Sequence, residues 1–350
     1  MRCRTSSWVR AGVWVVLMLP AACGGDPDVP AEFTEVVVPV GGTLASVTDT
    51  LVARELVGHP TLFRAYARMR GADRRLKAGT YRIPREIGWG GVLDMLTRGQ
   101  IVTVPLTIPE GFRLDQMAPR IAEITGLSSE SVLESLSRPG ISDEFGVPGP
   151  GLEGYLFPDT YHFAQGVSVD VVLEAMTGRY RTLWTEQRTA RLGSLDLTES
   201  EVVTLASIVQ AEARHVDEMP RIASVYHNRL KRGWLLQADP TVLYALGGYR
   251  ERLLYAAIDS VRDNPYNTYE HPGLPPGPIG APGAAAIDAA LQPAPEAFLY
   301  FVAWPDGTHI FTSTLTEHNR AKEAAARERS RLRARPREST APDGAPSAEM

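Results

Sequence analysis

The chain has 350 residues, 44% of them hydrophobic, a length and balance that allow two or three modules and at least one sizeable core. Lys and Arg number 36 against 41 Asp and Glu, a formal net charge of -5, which excludes the global basic footprint of a nucleic-acid-binding protein. The two cysteines are Cys3 and Cys23, both near the N-terminus, so the domains beyond them form without a disulfide and depend on their core.

The chain opens on MRCRTSSWVR followed by the apolar run AGVWVVLMLPAA, the layout of a basic n-region, an h-region and a small-residue cleavage site. That run is shorter than the roughly 20 residues a membrane-spanning helix needs, which favours cleavage over a stable span. Ala21-Ala22-Cys23-Gly24 resembles a bacterial lipobox with Pro20 in the usual leucine place. Cys23 is then the residue acylated, with plain secretion and an uncleaved anchor as alternatives. Residues 1–23 are read as export signal, lipobox or anchor, and 24–33 as a tether.

Three segments then follow one pattern: TEVVVPVGGTLASVTDTLV, GTYRIPREIGWGGVLDMLT and VTVPLTIPEGFRLDQMAPRIA. Each runs from a β-branched stretch through a Pro or Gly turn into an amphipathic helix, the period changing from 2 to 3.6 at the turn. Real repetition and chance likeness both remain open. Residues 34–102 are read as one α+β module and 103–190 as a second α+β segment, which contains a Gly- and Pro-rich stretch over 139–165 and a helix over 169–184. The fold class expected is α+β, with a mainly helical third part over 191–325 that ends in a β-hairpin.

That third part opens on Thr198-Glu199-Ser200-Glu201, a capping box that starts a helix. A second helix runs from Asp217 to Lys231 with Pro220 in its first turn and Gly233 closing it. Asp239, before Pro240, is expected to cap a short third helix that ends at Gly247-Gly248. RDNPYNTYEHPGLPPGPIGAPG, from Arg262 to Gly283, is too rich in Pro and Gly for regular structure, and a loop of that length is functional or disordered. AFLYFVAW, the turn Pro305-Asp306-Gly307 and THIFTST form the hairpin. A charged helix starts near Thr316, and residues 326–350 are read as a charged, disordered tail.

Wound at 100° per residue, the helix from Thr198 places Val202, Leu205, Ile208 and Val209 on one stripe with Glu212 in its middle and Gln210 pointing away. Burial there penalises the charged carboxylate and holds its proton near neutral pH, as a general acid requires. If the helix instead reaches solvent in its last turn, Glu212 is an ordinary surface residue. H-E-x-x-H, Cys/His zinc spacings, the G-x-S-x-G elbow and the phosphate loop are all missing from the sequence. Asn267, Thr268 and Tyr269 offer sugar-type hydrogen bonds and a stacking face, or are turn residues.

The run LASIVQAEARHVDEMPRIASVYHNRLKRGWLLQADPTVLYALG closely resembles the signature of the endolytic murein transglycosylases, the MltG or YceG-like family. LKAGTYRI, LTIPEGFRL, EGYLFPDTYHF, NPYNTY, GLPPGPIGAPG and FLYFVAWPDGTHIFTSTLTEHN resemble further family segments in order, over about residues 34 to 325. The resemblance implies a LysM-like N-terminal module and a catalytic domain that cleaves the β-1,4 bond between N-acetylmuramic acid and N-acetylglucosamine of nascent peptidoglycan, ending strand growth. It implies Glu212 as the catalytic acid and base, Gln237, Asp239, Asn267, Thr268, Tyr269, Tyr155 and Asp159 as substrate-binding, and neither metal nor cofactor. The partners implied are glycan strands and peptidoglycan synthases, at a membrane-anchored extracytoplasmic location. Where the family shows E-x-E, this chain has Gln210 and Glu212, and Ala213 and Ala238 replace threonines. One carboxyl suffices where the sugar's own N-acetyl group does the second job, as in substrate-assisted enzymes, and the resemblance implies a 1,6-anhydro-muramyl end as the product. The competing readings are a non-catalytic peptidoglycan-binding scaffold and a muramidase-type hydrolase pairing Glu212 with Asp239.

Overall fold

The computed structural model describes residues 33–39, 41–248 and 254–334. The export signal, Cys23, most of the tether and the tail beyond residue 334 lie outside them. Two compact units divide near residue 100. Among the described residues no helix is long and apolar enough to cross a membrane.

In the first unit, strand β1 (Phe33–Val38) alternates outward and inward, burying Thr34, Val36 and Val38. Helices α1 (Leu44–Ala53) and α2 (Pro60–Met69) follow, α1 capped by Thr43, whose hydroxyl accepts from the Ser46 N–H at 3.2 Å. Strand β2 (Gly79–Pro84) then pairs antiparallel with β1, setting Val36 opposite Tyr81 and Thr34 opposite Ile83. Helix α3 (Trp89–Arg98) ends at Gly99, whose φ of 75° supplies the left-handed stop. Val36, Leu51, Phe63, Tyr81, Ile83 and Leu96 are fully buried between these elements.

The second unit starts with β3 (Val104–Thr107), which pairs with β4 (Thr160–Phe163). So the three strand-turn-helix segments exist but are not equivalent repeats: two strands pair with each other and the third pairs elsewhere. Between β3 and β4 lie α4 (Leu114–Thr125), α5 (Ser129–Leu136) and α6 (Ile141–Glu144). Then come α7 (Val169–Arg181), α8 (Glu186–Leu195), α9 (Glu199–Glu212), α10 (Met219–Lys231), α11 (Asp239–Ala245), α12 (Tyr255–Ser260) and α13 (Ala284–Leu291). The hairpin β5 (Tyr300–Ala303) and β6 (His309–Thr312) and the long helix α14 (Leu315–Ala334) finish it.

One apolar core runs through this unit from Leu106 to Phe311, so residues 103–190 and 191–325 share a core and do not separate into two domains. Residues 326–334, expected in the disordered tail, continue α14. Ala321 and Ala325 bury that helix's inner face, and the Arg327–Glu323 and Arg331–Glu328 pairs one turn apart support its outer face.

Helix α9 is the centre of this core. Its capping box forms as the sequence predicts, Thr198 Oγ1 accepting from the Glu201 N–H at 3.2 Å and Glu201 Oε2 accepting from the Thr198 N–H at 2.8 Å. Every residue from Val202 to Val209 is buried, so the helix is enclosed on all sides, not along one stripe. Its other faces carry Thr204, Ala206 and Ser207, small enough for α13 and α10 to approach, and their hydroxyls are satisfied by carbonyls one turn back.

The Pro- and Gly-rich segment 262–283 has no helix or strand, as expected, but much of it is interior. Ile279 and Ala281 are buried, Ser207 Oγ accepts from the Ile279 N–H at 3.0 Å, and Ala281 exchanges backbone bonds with Gly111 and Phe112 at 2.7 and 2.8 Å. Gly280 is required here: a Cβ would stand 2.8 Å from the Gly111 carbonyl oxygen. Likewise a Cβ on Gly154 would collide with Pro278 at 2.4 Å. Three Gly/Pro-rich stretches thus lock together under α9.

Candidate active site

Glu212 is the last residue of α9, where the helix leaves the core. It is partly open on one side to a cleft of about 570 Å³ bounded by α10, the start of α11, the hairpin and α14. On its inner side, the fully buried Tyr226 of α10 donates a hydrogen bond from its hydroxyl to Glu212 Oε1 at 2.9 Å. Burial raises the Glu212 pKa to about 7; the Tyr226 bond opposes the rise, nearby Asp239 adds to it, and Arg229 opposes it. Burial also pushes the Tyr226 hydroxyl well above its ordinary range, so it remains a donor. The result is a carboxyl with one oxygen fixed and a proton exchangeable near neutral pH.

Arg229, one turn beyond Tyr226, is a buried cation that builds the cleft wall. It donates to the carbonyls of Leu299 at 2.8 Å and Leu236 at 2.6 Å, and its guanidinium lies 5.5 Å from the centre of the Tyr300 ring. One side chain therefore ties α10 to the hairpin and to the segment carrying Gln237 and Asp239. Gln237 has a φ of 50°, a left-handed conformation uncommon outside glycine and asparagine. Its N–H donates to the Thr268 carbonyl at 3.0 Å.

Of the residues singled out in sequence, Gln237, Asp239 and Tyr269 line the cleft with Glu212. The other four do not, and each has a structural task. Asn267 is fully buried; its amide donates to the carbonyls of Ile258 at 3.0 Å and Val261 at 3.2 Å, and its Oδ1 accepts from the Tyr269 N–H at 3.1 Å. Thr268 is buried too, its hydroxyl accepting from the Ala238 N–H at 3.0 Å and pairing with Thr241 Oγ1 at 2.9 Å. Tyr155 is a core ring, edge-on to Tyr180, with its hydroxyl bonded to Ser200 Oγ at 3.0 Å. Asp159 accepts from the Thr160 N–H at 2.8 Å and from Arg179 Nε at 2.9 Å, and these two partners, in that order, lower its pKa.

Asp239 is not the cap of its helix. Ala238 takes that position, Asp239 is the first helical residue, and its Oδ1 accepts from the Tyr269 hydroxyl at 2.5 Å. With proline next at the first turn, the helix starts without an Asp side-chain cap, which leaves the carboxylate free for the cleft. Gln210 faces away as predicted: its Oε1 accepts from the Gly283 N–H at 3.0 Å. A glutamine keeps the acceptor a glutamate would offer there, without burying a charge.

The sequence reading missed Tyr226, Arg229, Tyr300, His309, His318 and Lys322. A signal existed for Arg229, an arginine on an otherwise apolar helical stripe, the same anomaly that marked Glu212. It also missed Glu153, whose pKa burial raises to about 7. That carboxyl lies in a separate hollow with Arg113 and Tyr244, and its Oε1 is sealed from solvent. A larger hollow of about 760 Å³ sits at Thr185, Arg188 and Asp288. Its only carboxylate is held by Arg188 in a two-point pair at 2.8 Å for both bonds, so the chemistry favours the smaller cleft at Glu212.

The chain is a mixed, helix-rich α+β protein with a helix-terminal carboxyl in a tyrosine-lined cleft, and residues 36–324 match the YceG-like family. The chain belongs to that family. It is similar to the endolytic murein transglycosylase of Bacillus subtilis, 32% identical over 302 residues that cover 82% of this chain and 83% of the relative. The endolytic murein transglycosylase of Streptococcus pneumoniae is 30% identical over 320 residues, 83% of this chain but 58% of that longer protein. Among solved structures, a yceG-like protein from Listeria monocytogenes aligns with a TM-score of 0.57 at 31% identity, covering 83% of this chain and 99% of the other.

Proposed function

We propose that the chain is an endolytic murein transglycosylase, a lyase acting on peptidoglycan glycan strands, with Glu212 as its acid and base. The relatives carrying that name support the substrate class. The single observation that carries the mechanism is the half-buried Glu212 carboxyl, with a pKa near 7 and one oxygen anchored by Tyr226. Protonated, it gives its proton to the glycosidic oxygen leaving C1 of the muramic residue. The carboxylate formed then takes the proton of the C6 hydroxyl, and O6 closes on C1. Bond breaking and bond making balance without water, and the product ends in a 1,6-anhydro-muramyl residue.

Asp239 in the same cleft favours one second reading, a hydrolase in which a paired carboxylate activates water. Mass spectrometry of digested sacculi decides: anhydro ends support the transglycosylase, ordinary reducing ends the hydrolase, and no product a binding scaffold. For the first unit we propose a LysM-like glycan-binding role, supported by the two helices inserted between antiparallel strands. We further propose an extracytoplasmic protein tethered to the membrane through acylated Cys23, working beside peptidoglycan synthases. A Cys23→Ser protein should lose labelled fatty acid and leave the membrane fraction; persistent labelling would reject acylation.

A further inference from the structure

Helix α14 contributes a second set of groups to the Glu212 cleft: Leu315, His318, Asn319 and Lys322 line it. These are positions i, i+3, i+4 and i+7, one face of the helix. Lys322 is exposed there and, among the described residues, forms no ion pair, whereas α14's Glu323 and Glu328 pair with arginines and its Glu317 accepts the N–H groups of Ser313 and Thr314. His318 stacks on the Tyr300 ring at 5.0 Å, and its Nδ1 is shielded from solvent without a hydrogen-bond partner. Burial, then the charges of Lys322 and Arg229, lower the His318 pKa and disfavour its charged form, which leaves Lys322 to bring the charge. Lys322 and the His318 ring thus stand one turn apart on the helix face that lines the cleft, and the exposed ammonium is the group there able to meet an anion.

We propose that Lys322, set beside the His318 ring that packs on Tyr300, forms a carboxylate-binding subsite of the cleft, which engages a free carboxylate on the peptide stem of the glycan substrate. This rests on the glycan-cleaving reading above and adds that the enzyme distinguishes strands by the charge on their stems. The lactyl group of a strand stripped of its stems carries the same chemistry, so the two sources need separate arms.

Purified full-length protein is given three substrates: strands with free stem carboxylates, the same strands with those carboxylates amidated, and strands stripped of stems by an amidase. Release of anhydro-muropeptides, or of anhydro-disaccharides from stripped strands, gives kcat/KM for each. The parent should prefer free-carboxylate strands over amidated ones by about tenfold, mostly through KM, the scale of one charge-assisted bond. Lys322→Gln should abolish that preference and Lys322→Arg should keep it. A parent with no preference, or a Lys322→Gln protein that retains it, overturns the subsite. A preference for stripped strands that Lys322→Gln removes assigns the subsite to the lactyl carboxylate and overturns the stem assignment. If the parent releases no anhydro product from any substrate, the proposed function has failed, a result distinct from failure of the subsite.

Discussion

A carboxyl whose proton leaves near pH 7 imposes measurable consequences on the residues around it. If Glu212 acts first as an acid, kcat/KM falls on the alkaline side with an apparent pKa of about 7. Tyr226→Phe removes a bond that favours the carboxylate, so that limb moves to higher pH; a limb that stays in place separates Tyr226 from the acid. Glu212→Gln retains shape and the acceptor for Tyr226 and should lower turnover by at least about 100-fold, whereas Gln210→Ala, which loses only the bond to Gly283, should cost about 1 kcal/mol of stability and little turnover. Stability carries the same signature. The folded-state pKa of Glu212 lies above its ordinary 4.5, so the folded chain binds more protons between those values. Its contribution is full below about pH 4.5 and is lost as pH rises through about 7. Glu212→Gln should therefore be more stable than the parent at pH 8, by about 2 kcal/mol after allowing for water on the cleft side, and melt higher there but not at pH 4.5. Equal melting curves at both pH values would contradict a strained acid.

At the scale of elements, the segment 262–283 divides into a part that faces the cleft and a part that supports it. Asn267 closes the turn after α12 with three hydrogen bonds from a fully buried side chain, so Asn267→Ala should destabilise by about 2–4 kcal/mol, read as a lower denaturation midpoint. Tyr269→Phe should leave that midpoint nearly unchanged, because the ring stays, and should lower kcat/KM by freeing Asp239. If the two variants exchange these phenotypes, the division is wrong. Arg229 couples α10, the hairpin and the Leu236 segment. Replacing it with Leu leaves two buried carbonyls unpaired and should loosen all three walls together.

For the whole molecule, the core that holds the cleft is built, among the described residues, from Leu106 to Phe311 of the second unit. A chain beginning at residue 101 should therefore unfold in one cooperative transition and cleave strands in solution and, if the first unit binds glycan as proposed, sediment less with intact sacculi. A fragment that fails to fold would show that the first unit supplies part of the second unit's stability.

Much of this protein was decided locally. Thr198 and Glu201 set the start of α9, Pro220 and Gly233 bracket α10, and Pro305-Asp306-Gly307 turns the hairpin, because caps and turns are satisfied by residues three or four apart. The anomaly of Glu212 on an apolar helix was local as well, and it pointed to a carboxyl that opens to a cleft and whose pKa burial raises to about 7. What needed the tertiary structure was the fate of polar residues whose partners lie far along the chain. Asn267, Thr268 and Tyr155 have the chemistry of sugar ligands, yet the fold spends it on Ile258, Ala238 and Ser200. Asp239 has the sequence of a helix cap, and Tyr269, thirty residues later, draws it into the cleft. A side chain's type states which bonds it can make, and only packing states which groups arrive to make them.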